Sequence, residues 1–328
     1  MLKKTRVAVI GGGNMGLNHV RKYLQMKEVT LVAVADPNPA IASVAEEHRI
    51  GYYGDYNEML EVEALDAVSV VVPTHLHYKI AKNVLQRGVN CLLEKPITST
   101  IEEAQELIVL AKQDGLILTV GHVEHYNPMV SKLKEVITDG EIADVTSIVC
   151  RRVGGFPPRE PATDVILDLA VHDVGVMNYL LGKIPLSVAS HASRTHHTSK
   201  IDAAELLLDY GNASGFVQVN WTTPIKVRSI AITGTKGYIE ANYLTQEIVI
   251  YDTNIQKTTN ENFEVFIRHA SELKHRTIKT KFEEPLLLEL KSFIAHVNGD
   301  TATYLVTAEE AAAALLPTLE VSKRHTTL

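Results

Sequence analysis

The stretch VAVIGGGNMG, residues 7–16, decides how this chain is read. Four apolar residues, three of them β-branched, make a short run of buried-strand character, and three glycines end it. Gly11, Gly13 and Gly16 stand in G-x-G-x-x-G spacing. In a strand-turn-helix unit the first glycine lets the chain turn sharply off the strand. The second lets another group approach the backbone, and the third lets the helix pack close to the sheet. Lysines precede the run, but it is too short for the apolar core of a secretion signal, so a strand is expected.

Further apolar runs follow at RVAVI (6–10), TLVAVA (30–35), DAVSVVV (66–72), VNCLL (89–93) and LILTV (116–120). Amphipathic stretches separate them, such as IEEAQELIVLAKQDG, which ends on Gly115, a natural helix stop. Near-continuous apolar strands alternating with helices mean a parallel sheet covered on both faces, so residues 1–122 are expected to form a doubly wound Rossmann domain. After Pro128 strands follow one another directly: VTSIVCRRV (145–153), LSVASHASR (186–194), AAELLLDY (203–210), ASGFVQVNWTT (213–223), VRSIAITG (227–234), GYIEANY (237–243) and EIVIYD (247–252). Hairpin signals at Gly211-Asn212 and Gly234-Thr235-Lys236-Gly237 make the second sheet mostly antiparallel. One helix near 165–181 interrupts it, with Leu167, Leu169, Val171 and Val174 expected to anchor that helix. Two more helices are expected at 285–297 and 307–323, while the polar stretch 253–284 receives no assignment. Residues 123–328 are accordingly expected to form an α+β domain on a large sheet.

Bulk properties narrow the function. The 328 residues carry a net charge of −7 with 45% hydrophobic and 22% charged content, which describes a globular protein with no basic face for nucleic acid. No apolar run approaches the roughly 20 residues that span a bilayer. Cys91 and Cys150 both lie in apolar segments, as reduced buried thiols would, so a cytoplasmic location is expected.

The glycine turn gains meaning from Asp36, which ends the second strand twenty residues after Gly16. That spacing suits a carboxylate that hydrogen-bonds an adenosine ribose diol, while the helix opening at Asn14 and Met15 points free N–H groups at a pyrophosphate. No arginine adjoins Asp36 to hold a 2′-phosphate, so NAD is favoured over NADP. Open α/β sheets bind ligands at the carboxyl ends of their strands, where Gly11, Asp36, Pro73, Lys95 and Gly121 are expected, with Thr74 and His122 beside them. Glu94 and Lys95 therefore border the nucleotide crevice, where a lysine can hydrogen-bond a substrate oxygen or move a proton. In ILDLAVHDVGVMNYLLG, Asp168 and His172 are four apart, one face of a helix, which suits a base oriented by a carboxylate. A substrate alcohol would then give its proton to His172 or Lys95 as its hydride leaves for the nicotinamide.

These residues together resemble the Gfo/Idh/MocA family, the glucose-fructose oxidoreductase and inositol dehydrogenase group. VIGGGNMG, Asp36, VPTHLH, LLEKPIT, VGHVEHYNP and DLAVHD match its motifs in order. The resemblance implies a Rossmann domain followed by a domain on a large open sheet, with Lys95, Asp168 and His172 as catalytic residues. It further implies a cis Lys95-Pro96 peptide, His77 and Glu94 near the cofactor, and a homodimer or homotetramer through the open sheet face. Within the family, GHVEHYNP, RRVGGFPPRE and DLAVHDVGVMNYLLG look most like the nucleotide-sugar 3-dehydrogenases that oxidise UDP-N-acetylglucosamine. Their pattern has Arg where this chain has His125, and often an acid where it has Gly175.

For a substrate pyrophosphate, Arg151, Arg152 and Arg159 flank a Gly/Pro-rich loop and offer guanidinium forks, though strand alternation lets at most one of Arg151 and Arg152 face a cleft. Tyr126 and Asn127 are further candidates to line the substrate pocket. His75 and His77 have no matching Cys or His set elsewhere, so no metal site is expected. Two rivals remain: a dehydrogenase of inositol, another polyol or a free sugar using the same residues, and a non-catalytic NAD-binding sensor, which the presence of Lys95, Asp168 and His172 together disfavours.

Overall fold

The computed structural model describes residues 4–157, 161, 163–196, 199–252 and 274–326. Contacts divide the chain into two compact units, one running to Tyr126 and including Glu284–Leu316, the other comprising Asn127–Glu283 and the chain from Pro317 onward.

The first unit is built on six parallel strands: β1 (Thr5–Ile10), β2 (Val29–Ala35), β3 (Gly51–Tyr53), β4 (Ala67–Val70), β5 (Asn90–Glu94) and β6 (Leu118–Gly121). Their order is β3-β2-β1-β4-β5-β6, which places the topological switch between β1 and β4. Helices α1 (Asn14–Tyr23), α2 (Ile41–His48), α3 (Tyr56–Val62), α4 (His77–Gln86) and α5 (Ile101–Gln113) connect them. Val7, Val9, Val34, Ala67, Leu92 and Leu93 are all fully buried, as continuous apolar strands of a covered parallel sheet should be. Strand β3 was not expected from sequence; at three residues, GYY, it is too short to show a period.

The second unit holds an eight-stranded sheet in the order β14-β13-β12-β11-β7-β10-β9-β8. Its strands are β7 (Val145–Val153), β8 (Ser187–Ser193), β9 (Ala203–Asp209), β10 (Ser214–Asn220), β11 (Val227–Gly234), β12 (Gly237–Asn242), β13 (Glu247–Asp252) and β14 (His275–Lys279). All neighbours pair antiparallel except β7 and β10. Buried and exposed residues alternate along β9, β10 and β13, the signature of a sheet covered on one face. Helices α6 (Pro128–Thr138) and α7 (Val171–Leu181) pack on it.

Several expectations are corrected here. Helix α6 lies where none was expected, although its signals are plain: Asn127 caps it, Pro128 fills its first turn, and Met129, Val130, Leu133 and Val136 form one buried stripe. Of the unassigned polar stretch, β14 accounts for 275–279, pairing with β13; residues 253–273 lie outside the described part. The helix expected at 165–181 opens as a π-helix, Ile166–Ala170, before α7. That wider winding moves Leu167 and Leu169 to half-buried positions, and Val165, Ile166 and Ala170 anchor the turn instead.

The domain division also differs. The first unit extends to Tyr126, and α8 (Pro285–Val297), assigned from sequence to the second domain, packs in the first. Leu286, Leu290, Phe293 and Ile294 of α8 join the core of Val7, Val9, Val20, Tyr23 and Val34, giving that face of the parallel sheet its cover. The last helix, α9, runs Ala308–Thr326. No helix among the described residues is long and apolar enough to cross a membrane.

Candidate active site

Each glycine of the turn after β1 has an identifiable job. Gly11 adopts φ +103°, and a Cβ there would lie 2.0 Å from the Val71 carbonyl oxygen. A Cβ on Gly16 would lie 1.9 Å from the Gly11 oxygen, so α1 can come this close to the turn only without a side chain. Gly13 is exposed with open space where its Cβ would be, and it begins α1 with no side-chain cap. The first-turn N–H groups of α1 are thus available to an anion.

Asp36 follows β2, its carboxylate clamped by main-chain donors: Gly12 N–H to Oδ2 at 2.5 Å and Asn38 N–H to Oδ1 at 2.8 Å. Ile10, Gly11, Gly13, Asp36, Asp55, Tyr56, Pro73 and Lys79 are among the residues around a cleft of about 710 Å³ at this end of the sheet. Bare glycine backbone, a fixed carboxylate and a mostly apolar cleft fit a dinucleotide. Asp55 and Lys79 were missed from sequence. Both stand just past a strand's carboxyl end or on the helix that follows, and position in the fold is their only signal.

At β5, Glu94 is 7% exposed and Lys95 half-buried, and the Lys95-Pro96 peptide is cis. The Glu94 carboxylate accepts from the Lys95 N–H (3.2 Å) and lies 3.2 Å from Nε2 of His19, a fully buried residue of α1. Across the ladder Gly121 pairs with Glu94, and a Cβ on Gly121 would come within 3.0 Å of that carboxyl group. Gly121 therefore makes the space in which Glu94 sits. His19 escaped the sequence reading. It lies on the buried face Gly16, His19, Val20, Tyr23 of α1, where one polar residue among apolar neighbours needs a buried partner.

His77 is 1% exposed, with Nδ1 2.8 Å from the Pro96 oxygen and Nε2 2.8 Å from the Val72 oxygen. It ties the turn after β4 to the turn after β5, each ring nitrogen standing at a main-chain carbonyl oxygen. Burial lowers its pKa, against the pull of the two carbonyls. His122, 1% exposed, is pushed down to about 3 by burial and then by the charges of His125 and Lys95. His125 falls to about 4 through burial; it stacks on Tyr304 with ring planes 5° apart and holds its hydroxyl at 3.1 Å. Both are neutral imidazoles at ordinary pH.

In the second unit, Asp168 is half-buried on the π-helical turn and His172 is 9% exposed in the first turn of α7. Asp164 caps that turn through the Ile166 and Leu167 N–H groups.

The other candidate substrate residues are committed to the protein. Tyr126 accepts from the Val306 N–H at 3.0 Å and is 7% exposed. Asn127 caps α6 and donates to the Tyr243 oxygen. Arg152 is 4% exposed and donates through Nε and Nη2 to Asp173, itself 1% exposed, at 2.8–3.1 Å, with its guanidinium carbon 5.0 Å from the Tyr243 ring centroid. A fork closed on Asp173 brings no net charge to a pyrophosphate. Arg151 points to the other face and donates to Gln218, and Arg159 lies outside the described residues.

Comparison with known proteins bears on this arrangement. Residues 5–122 match the oxidoreductase family with an NAD-binding Rossmann fold, and residues 130–240 match the GFO/IDH/MocA C-terminal domain. The UDP-N-acetylglucosamine 3-dehydrogenase of Acidithiobacillus ferrooxidans is 33% identical over 248 residues, covering 75% of this chain and 76% of the relative. The scyllo-inositol 2-dehydrogenase (NAD(+)) of Bacillus subtilis is 28% identical over 317 residues, 92% of this chain and 89% of the relative. The solved structure of the A. ferrooxidans enzyme superposes with TM-score 0.84 at 24% identity, covering 98% of both chains, a likeness of fold. The chain belongs to the Gfo/Idh/MocA family of oxidoreductases, with an NAD-binding Rossmann fold.

Proposed function

We propose that this protein is an NAD-dependent dehydrogenase that takes a hydride from a secondary alcohol of a sugar, with C3 of UDP-N-acetylglucosamine or of a similar nucleotide sugar as the reacting carbon. The observation that carries the dinucleotide reading is the clamped Asp36 carboxylate facing the glycine turn. Two main-chain N–H groups fix its charge where an adenosine 2′-phosphate would be repelled, and Asp55 adds a second acid to the same cleft, which supports NAD over NADP. The sugar reading leans on the relative at 33% identity.

NAD, when bound, supplies the hydride acceptor. His172 accepts the hydroxyl proton as the hydride leaves, Asp168 orients and stabilises the resulting imidazolium, and Lys95 donates a hydrogen bond to the oxygen becoming a carbonyl. His122, held neutral, supplies no competing cation beside Lys95. The test follows NADH absorbance with UDP-N-acetylglucosamine, myo-inositol and glucose in parallel, for wild type and Lys95→Ala. Reduction with the nucleotide sugar alone, lost in Lys95→Ala while NAD still binds, is the expected result; undiminished turnover in the variant would remove Lys95 from the chemistry.

One observation favours a second reading, an inositol or other polyol dehydrogenase. Arg152 is closed on Asp173, so its guanidinium fork is not open to a pyrophosphate. Reduction with myo-inositol alone would decide for it. Assembly into a homodimer or homotetramer is proposed through the open face of the eight-stranded sheet, where Leu207 and Phe216 form an exposed cross-strand pair. Leu207→Asp should lower the mass measured by light scattering.

A further inference from the structure

Glu289, on α8, is 1% exposed, and neither of its carboxyl oxygens has a hydrogen-bond partner among the described residues. Its sequence context, LLLELKSF, already sets one acid among apolar residues on the buried stripe of a helix. A carboxylate this deep and without a donor is costly, and the usual resolution is that it remains a neutral acid.

Among the described residues no lysine or arginine bonds Glu289 to offset a charge. Helix α8 packs against α1 and against the turn Val123–Tyr126. From α1 come His19, hydrogen-bonded to Glu94 with its Nδ1 unpartnered, and Tyr23, whose hydroxyl bonds Ser69 at 2.7 Å; Lys22 is drawn to Glu284 at 2.5 Å. From the turn come Glu124, His125, which is neutral, and Tyr126. From β5 comes Glu94. Tyr23 and Tyr126 stand on the two elements that α8 packs against, and the negative charge of Glu94 acts on Glu289. Two carboxyl groups buried together do not both ionise, and Glu94 has what a charge needs: His19 and the Lys95 amide. Burial, then the charge on Glu94, raises the pKa of Glu289 well above the usual carboxylate range.

We propose that Glu289 acts as a neutral carboxylic acid, a positioning residue that keeps Glu94 the single charged carboxylate of this cluster and so fixes Glu94 against His19 and the Lys95 amide. The inference deepens the proposed dehydrogenase reading, since Lys95 is its central residue, but the cluster stands in the first unit whatever the substrate. Protonation of Glu289 stabilises the fold most at low pH. The contribution is lost as pH rises from the ordinary carboxylate value through the raised one, because the unfolded chain releases that proton earlier.

The experiment compares wild type, Glu289→Gln and Glu289→Leu of the full chain. Infrared spectra of wild type at pH 7 should hold the carbonyl band of a protonated carboxyl group that Glu289→Gln lacks; its absence from wild type overturns the proposal even where a variant does not fold. Melting curves from pH 5 to pH 9 should show Glu289→Gln gaining on wild type as pH rises, and the gain should shrink in a Glu94→Gln background. An offset independent of pH, or indifferent to Glu94, would mean packing alone. NAD titration should show wild-type binding weakening several-fold as pH is raised far enough to ionise Glu289 beside Glu94, while Glu289→Gln and Glu289→Leu keep their affinity. A loss shared equally by the two variants would end the positioning role. None of these readouts needs turnover, so absence of activity with every sugar would count against the proposed function and leave this inference standing.

Discussion

Asp173 and Glu289 are equally deep, each about 1% exposed, and they solve the same problem in opposite ways. Asp173 is met by Arg152, whose Nε and Nη2 both reach it, with the Tyr243 ring beside the guanidinium. Glu289 meets no donor among the described residues and has another acid for a neighbour. Depth by itself does not set the charge of a carboxyl group; the partner the fold brings to it does. A paired acid can hold an arginine in one orientation, whereas an unpaired one contributes by being neutral and filling its place.

The sharpest way to break this contrast is to remove the partner from one side. Arg152→Met should cost about 3–5 kcal/mol in urea denaturation, since it strands the Asp173 charge in the interior. Arg152→Lys should fall between, because an ammonium carries the charge without the planar fork or the stacking on Tyr243. Arg152→Met with Asp173→Leu should recover most of the loss, as apolar groups of similar volume often replace a buried pair without penalty. If the double variant is as weak as Arg152→Met alone, the pair is fixed by something other than mutual charge. On the other side Glu289→Gln should melt close to wild type near pH 5 and then gain on it by up to about 1.4 kcal/mol for each pH unit, because the unfolded chain ionises an acid that the fold holds neutral.

The contrast also marks what the sequence carries openly. The glycine turn was legible because its demands are local: Gly11, Gly16 and the carboxylate of Asp36 meet within one strand-turn-helix-strand unit, so spacing reports geometry. The catalytic candidates Lys95, Asp168 and His172 were legible as motifs in short stretches. Arg152 was singled out as a guanidinium fork for a substrate pyrophosphate, and in the structure it answers Asp173 on a different element. His19 and Glu289 were passed over because each is meaningful only with a partner dozens to hundreds of residues away. Helix α8 was placed in the wrong domain because its apolar stripe says that it is buried and not against which sheet. The π-helical turn was invisible for a related reason: one extra residue in a turn leaves residue types unchanged and moves which of them face inward.

The smallest effect concerns the neutral buried bases beside the neutral buried acid. His122 and His125 are held to about 3 and about 4 by burial, against an ordinary value near 6.5. A depressed value in the folded chain means that the unfolded chain takes up protons first as pH falls. Their contribution is therefore full above about 6.5 and drains away below it, the reverse of the Glu289 case, where it drains as pH rises. His125→Gln, which keeps a hydrogen-bonding atom toward the Tyr304 hydroxyl and cannot titrate, should melt near wild type at pH 7.5 and gain on it steadily from pH 6.5 to pH 4.5. Paired with Glu289→Gln, whose advantage grows in the alkaline direction, the two variants should tilt the stability profile of the same unit toward opposite ends. Parallel profiles for the two would mean that neither group is held neutral by the fold, and the difference between the partnered and the unpartnered interior would reduce to packing.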